Sequence, residues 1–292
     1  MTTLCPPVRE VGRDAVRRWD HELDAWLLPE AGFSAAHTWP QLYRSDGQGR
    51  FFVVADGDTL LAHCATRQVT LHGERGAVPV CLLGSVVTNP SHRGRGLASQ
   101  VLAAAIAANA AATAATLLWA ERAGLYARAG FVPSVGETCL LLARRPHPRR
   151  DGVRPATVAD LAFLHALHQA KSWRVDRSAT TMATLLSTPG MTTLVLERGG
   201  AVVAYACCGK GADLYGHWHE LGGSDADLAD LLPAALHVCE QTEAPLLLPP
   251  YRHELRERLG RSVIDAQPIP GPMVRAPHGP LGGFWIDGLD SV

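Results

Sequence analysis

From Cys81 to Ala105 the chain reads CLLGSVVTNPSHRGRGLASQVLAAA, and few folds accommodate that order of residues. Leu82, Leu83, Val86 and Val87 supply the aliphatic and β-branched content of a buried strand. Asn89-Pro90-Ser91 ends it, because Pro90 has no N–H to donate to a ladder. Gly94 and Gly96 follow, and without Cβ atoms they let backbone N–H groups approach a ligand closely. A helix opening at Leu97 adds its unsatisfied amides and the positive end of its dipole. Strand, glycine turn and helix in this order predict a cradle for phosphate.

The spacing decides which cradle. There is no Lys-Ser/Thr after the second glycine, as a P-loop needs, and no third glycine in GxGxxG register with an acidic residue closing the next strand. Arg93-Gly94-Arg95-Gly96-Leu97-Ala98 instead resembles the (Gln/Arg)-x-x-Gly-x-(Gly/Ala) pyrophosphate loop of the GNAT acyl-CoA N-acyltransferases. Val86-Val87-Thr88-Asn89-Pro90 resembles the end of that family's fourth strand, and Leu125 to Phe131, LYARAGF, resembles its Tyr-x-x-x-Gly-Phe segment. An ordinary strand-to-helix turn with a basic rim explains one such match, not two in the right order.

At 292 residues the chain is long for one domain and comfortable for two. A hydrophobic fraction of 47%, a charged fraction of 19% and a net charge of −1 describe a globular protein with no general bias toward nucleic acid. Seven cysteines, an odd number without C-x-x-C spacing, argue for a reducing compartment. The first fourteen residues lack a signal-peptide core, and a cytoplasmic location is expected. Val101 to Ala120 carries no charge, but it is mostly alanine with Gln100, Asn109, Thr113 and Thr116 nearby, so a water-exposed helix running into a strand is expected, not a membrane span.

Val16, Trp19, Leu23, Trp26 and Leu27 recur at helical spacing and predict one or two amphipathic helices before Leu42. Phe51–Val54, Asp56-Gly57-Asp58 and Thr59–Thr66 predict a hairpin. Thr116 to Ala120 reads as a strand parallel to the central one through a helical crossover, and Thr138 to Ala143 as a closing strand. Residues 144–152, RRPHPRRDG, have linker composition. Beyond them, residues 196–204 align without gaps on residues 54–62, so the hairpin is expected twice. In the second half, Gly222-Gly223-Ser224-Asp225-Ala226-Asp227 stands where a pyrophosphate loop belongs, and its two carboxylates suit a helix start while repelling a diphosphate. Phe284-Trp285-Ile286 is an apolar tail expected to pack back on one of the halves.

The resemblance implies an α+β protein of two tandem GNAT folds, each a mixed, mostly antiparallel sheet flanked by helices. An N-terminal, acetyl-CoA-binding domain would cover residues 1–145 and a degenerate one residues 152–292. It implies transfer of an acetyl group from acetyl-CoA to the amine of a small polar acceptor, the alternative being a non-catalytic acetyl-CoA-binding regulator. No metal, nucleic acid or membrane is expected as a partner, and a homodimer is compatible with the sequence. Backbone amides at Val86, Val87 and Thr88 would hold the pantetheine arm and the oxyanion, and Arg93, Gly94, Arg95, Gly96, Leu97, Ala98 and Ser99 the diphosphate. Tyr126 falls on the family's leaving-group tyrosine, whose phenol could protonate a departing thiolate. Glu121, directly after a strand, is the nearest candidate base, with His63 and His72 as weaker ones. The asparagine often found shortly before the family's tyrosine is absent from Trp119-Ala120-Glu121-Arg122. His217 and His219 share one face of a strand, and His165 and His168 one face of a helix, without four-ligand zinc spacing. His219 and Glu220 are expected to line an interdomain cleft on the acceptor side.

Overall fold

The computed structural model describes residues 6–29, 32–120, 122–146 and 151–292. Its strands in chain order are β1 Arg9–Val11, β2 Arg50–Asp56, β3 Thr59–Gly73, β4 Gly76–Thr88, β5 Ala115–Leu118, β6 Val132–Pro133, β7 Glu137–Ala143 and β8 Val153–Pro155. There follow β9 Arg174–Val175, β10 Thr192–Arg198, β11 Ala201–Cys208, β12 Trp218–Gly223, β13 Glu243–Leu248, β14 Val263–Ile269 and β15 Met273–Arg275. They form two mixed sheets, ordered β1-β2-β3-β4-β5-β15-β6, with β9 against β3, and β14-β7-β13-β12-β11-β10-β8.

Local chemistry explains most of the first sheet. The Asp56-Gly57-Asp58-Thr59 turn closes the β2–β3 hairpin with Asp56 opposite Thr59 and Gly57 at φ +57°. The repeat of this hairpin is β10–β11, turning at Gly199-Gly200. The alanine-rich helix Leu97–Asn109 carries the chain from β4 across to β5, which pairs parallel to it. No helix among the described residues is long and apolar enough to cross a membrane. The N-terminal pattern yields shorter pieces than the one or two helices expected: Arg13–Val16, Asp20–Leu27, Ala35–Thr38 and Pro40–Tyr43. Ser34 caps one new start and Pro40 forces another, yet Val16, Trp19, Leu23 and Leu42 still reach one core.

The strands are exchanged between the sheets in a way the sequence did not suggest. Residues 137–143 close the second sheet, between β13 and β14, and not the first. Leu140 and Leu142 are needed there, in the core around helix Asp225–Val238. The vacant edge of β5 is filled from the far end of the chain by β15, with Met273 opposite Leu118. The linker near residue 145 therefore divides the chain without dividing the sheets.

The first sheet has two differently covered faces, as period-2 alternation requires. Phe52, Val54, Leu83 and Leu118 pack under Leu97, Val101 and Phe131 on the face of the crossover helix. Phe51, Val53 and Val87 face Trp19, Trp39 and Leu42 of the N-terminal helices. Leu82 and Leu117 meet Ile286, so the apolar tail packs on the first sheet, with Trp285 and Ile286 buried.

Candidate active site

The central strand parts from its neighbour beyond Leu82. β4 and β5 pair only from Val80–Leu82 to Ala115–Leu117. Beyond Leu82 the β3–β4 register shifts between His63 and Ala65, and Ser85 takes φ +52°, a bulge conformation rare for a residue with a Cβ. His63 fixes that bulge. Its Nδ1 donates to the Ser85 carbonyl at 2.9 Å, and its ring stacks on Tyr43. Burial drives its pKa down to about 4, so it is a neutral support for the strand and not a base in the cleft. Asn89 N–H donates to Leu61 O at 2.9 Å. By strand alternation Val87 N–H turns toward β3, while Val86 and Thr88 N–H turn to the open side.

The cradle follows at once. Gly94 and Gly96 have φ of +77° and +75°, and a Cβ built on either would meet no atom within 4 Å. Arg93 and Arg95 are exposed and make no ion pair among the described residues. Leu97 is buried and anchors the helix, leaving the first-turn amides of Leu97, Ala98 and Ser99 without intrahelical acceptors. Space, free guanidinium groups and free amides fit the diphosphate of a CoA thioester. The corresponding start in the second half is closed. Ser224 caps the Asp227 amide, Asp225 is bonded to Arg252 at 2.5 Å and to the Leu255 amide at 3.0 Å, and a Cβ on Gly222 would lie 2.0 Å from the Tyr205 ring.

A cavity of about 790 Å³ occupies the opening between β4 and β5 and is bounded by both halves of the chain. Tyr126, from the short helix Ala123–Arg128, stands in its wall, edge-on to Phe131 at 6.2 Å. Its hydroxyl makes no hydrogen bond among the described residues, and burial raises its pKa, which keeps the phenolic proton in place. Glu121 lies outside the described residues. The second half contributes Asp213, Leu214 and His217 from the loop before β12, and the tail contributes Ser291 and Val292. Val292 packs so closely on Gly84 that a Cβ there would lie 2.4 Å from its carbonyl carbon. Glu137, at the start of β7, also lines the cavity. Burial pushes its carboxyl up to about 7, with the neighbouring Trp119 indole pulling it partly back, and it has no ion pair among the described residues.

Two residues expected at the cleft are elsewhere. His219 is 1% exposed and bonds the Gly209 carbonyl, with burial lowering its pKa to about 4. Glu220 is fully buried; against burial, which alone would raise it, Arg177 and Lys171 hold its carboxyl well below the usual range. Both side chains point into a charged core and not into the cavity, because β12 is covered on that side by the tail. Lys171 Nζ lies 2.8 Å from both Glu220 and Asp287, and Arg177 bridges Glu220 and Asp290 at 2.8 and 2.5 Å. His168, Glu220 and Asp287 cluster closely enough to ring an ion, but the Lys171 ammonium already sits on both carboxylates. His165 and His168 bond the carbonyls of Arg177 and Val175, and His72 pairs with Asp176 at 2.9 Å. This core fastens the tail, which Lys210 also grips through Gly288 O and Ser291 O.

Comparison with known proteins agrees with the geometry. Residues 47–133 match the family model described as an acetyltransferase (GNAT) domain. A comparison with curated proteins returns no significant sequence match. Among solved structures, the chain is similar to a conserved protein of Enterococcus faecalis V583 described as a probable N-acyltransferase (12% identity, 92% of this chain and 72% of that one, TM-score 0.72). It is also similar to GCN5-related N-acetyltransferases from Anabaena variabilis (12% identity, 92% and 72%, TM-score 0.69) and Kribbella flavida (17%, 94% and 72%, TM-score 0.66). Residues 47–133, which hold the bulged strand, the cradle and Tyr126, match the acetyltransferase (GNAT) domain, and the chain as a whole shares the fold of these GCN5-related N-acetyltransferase structures.

Proposed function

We propose that the protein is an acetyl-CoA-dependent N-acetyltransferase that works in its N-terminal unit, residues 1–145, and that its C-terminal unit, residues 152–292, is a degenerate copy that walls the acceptor side. One observation carries this reading: the opening past Leu82 in the first sheet is lined by Val86 and the unbonded phenol of Tyr126, and the same strand runs directly into the open cradle at Gly94 and Gly96.

In this reading the cradle from Arg93 to Ser99 holds the diphosphate of acetyl-CoA, with the arginines adding charge to the helix amides. The acyl arm lies in the gap between β4 and β5. Val86 and Thr88 N–H donate to the pantetheine amide and to the oxygen of the thioester carbonyl as it gains charge, while Val87 holds the strand to β3. The amine nitrogen attacks the carbonyl carbon, a C–N bond forms and the C–S bond breaks. Tyr126, kept protonated by burial, gives its proton to the departing thiolate. The second unit takes no cofactor, because its helix start is filled by side chains and carries Asp225 and Asp227.

Thiol release from acetyl-CoA across a panel of amines tests the proposal. An active enzyme releases one thiol per amide formed, and Tyr126→Phe is expected to lower kcat by about 10² with little change in acetyl-CoA affinity. No thiol release with any amine, at saturating acetyl-CoA, contradicts it.

A further inference from the structure

The cavity walls point to the acceptor, given the acetyl-transfer reading above. The crossover helix and the cradle lie on one face of the first sheet, so the cofactor approaches from that face. On the opposite face the opening is walled by Leu27 and Trp39 from the N-terminal helices, Leu214 from the second unit and Ile286 from the tail. Trp119 belongs to that face as well, packed in the cluster of Leu117 and Ile286, and Glu137 stands beside its indole.

We infer that the acceptor is a primary amine carried on an apolar body of aromatic size, which enters opposite the cofactor and delivers its ammonium group to Glu137. The charge distribution singles out Glu137. The described titratable groups lining the cavity are Arg122, Tyr126, Glu137, Asp213 and His217. Asp213 is drawn to Lys210 at 3.5 Å, and His217 Nδ1 is bonded to the Tyr215 carbonyl. Of these two side-chain carboxylates, Glu137 is the one without a cationic partner among the described residues. A cationic amine supplies the missing charge, and the two tryptophans and three aliphatic side chains favour an apolar body over a hydroxylated or multiply charged one. The chemistry balances. Glu137 carboxylate takes one proton from R–NH₃⁺, and the free amine attacks the thioester. The proton lost by nitrogen as the amide forms replaces the one Tyr126 gives to the thiolate, and Glu137 returns its proton to solvent. The sum is R–NH₃⁺ plus acetyl-S-CoA to R–NH–acetyl, CoA-SH and H⁺.

The test uses the full chain with phenethylamine and tryptamine against putrescine and glucosamine, and Glu137→Gln and Glu137→Asp beside the wild type. The aryl amines are expected to show kcat/KM at least about 10-fold above the polar ones, the scale of a few buried methylenes. Since Glu137 acts only when ionised, wild-type kcat/KM is expected to rise with pH through about 7. Glu137→Gln is expected to lose about 10²-fold in amine kcat/KM and that limb of the profile, with unchanged acetyl-CoA affinity, and Glu137→Asp to restore the limb in part. Preference for putrescine or glucosamine, or a limb that survives Glu137→Gln, overturns the inference while leaving acetyl transfer standing. Absence of acetyl-CoA binding by the wild type overturns the acetyl-transfer reading on which it rests.

Discussion

Replacing Asp290 with Asn tests how the back of the cavity is held. The Asp290 carboxylate is fully buried and accepts from Arg177 Nε at 2.9 Å and Nη2 at 2.5 Å, and from Arg67 Nη1 at 3.4 Å. Asn keeps the size and removes the charge. Arg177 retains Glu220, but Arg67, itself 2% exposed, loses its only ion pair among the described residues. A buried cation left without its partner costs about 3–5 kcal/mol, against a net stability on the order of 5–15 kcal/mol for a folded chain. The expected outcome is a large fall in the urea midpoint, followed by tryptophan fluorescence, with faster amide hydrogen exchange over residues 288–292. A second substitution supplies the control. Arg67→Met in the Asp290→Asn background removes the stranded guanidinium and is expected to recover at least about 1 kcal/mol. The reasoning is refuted if Asp290→Asn costs under about 1 kcal/mol, or if the double variant is no more stable than the single one.

Gly84→Ala drives a Cβ into the Val292 backbone and is expected to cost about 1–3 kcal/mol and to raise the acceptor KM while acetyl-CoA affinity holds; an unchanged KM places the tail outside the acceptor site. Gly222→Ala meets the Tyr205 ring at 2.0 Å and is expected to lower the thermal midpoint through the second core without altering acetyl-CoA affinity. A fragment of residues 1–150 lacks β15 and leaves β7 without its sheet, so it is expected to show no cooperative unfolding transition; a sharp transition contradicts the account of strand exchange.

Elements governed by nearby residues were legible in the sequence. The Asp-Gly turn, the crossover helix and the Gly94–Gly96 cradle each depend on local conformation, and each stands where the residues place it. Strand partners were not legible. Nothing in Thr138–Ala143 says that Leu140 and Leu142 are needed by a helix near residue 230, since long-range pairing is decided by which core lacks volume and not by the strand itself. The site divides along the same line. Tyr126 and the cradle sit on motifs, whereas Glu137, Asp213 and Val292 reach the cavity through the second sheet, a loop and the tail. Ser85 gave no sign of its positive φ, because the bulge is imposed by His63 from the neighbouring strand. His217 and His219 alternate as residues facing one cleft would, but the tail that buries His219 and Glu220 lies some seventy positions away in sequence, at Asp287 and Gly288.

Titration of the full chain with acetyl-CoA by calorimetry tests the central claim most directly. One saturable site per chain is expected, since the first helix start is open and the second is filled. Arg93→Ala with Arg95→Ala is expected to weaken it and to flatten its salt dependence, and Gly96→Glu, which sets a carboxylate into the cradle, to weaken it by about 100-fold or more. Affinity unchanged by Gly96→Glu in a folded protein, or two equivalent sites per chain, contradicts the account.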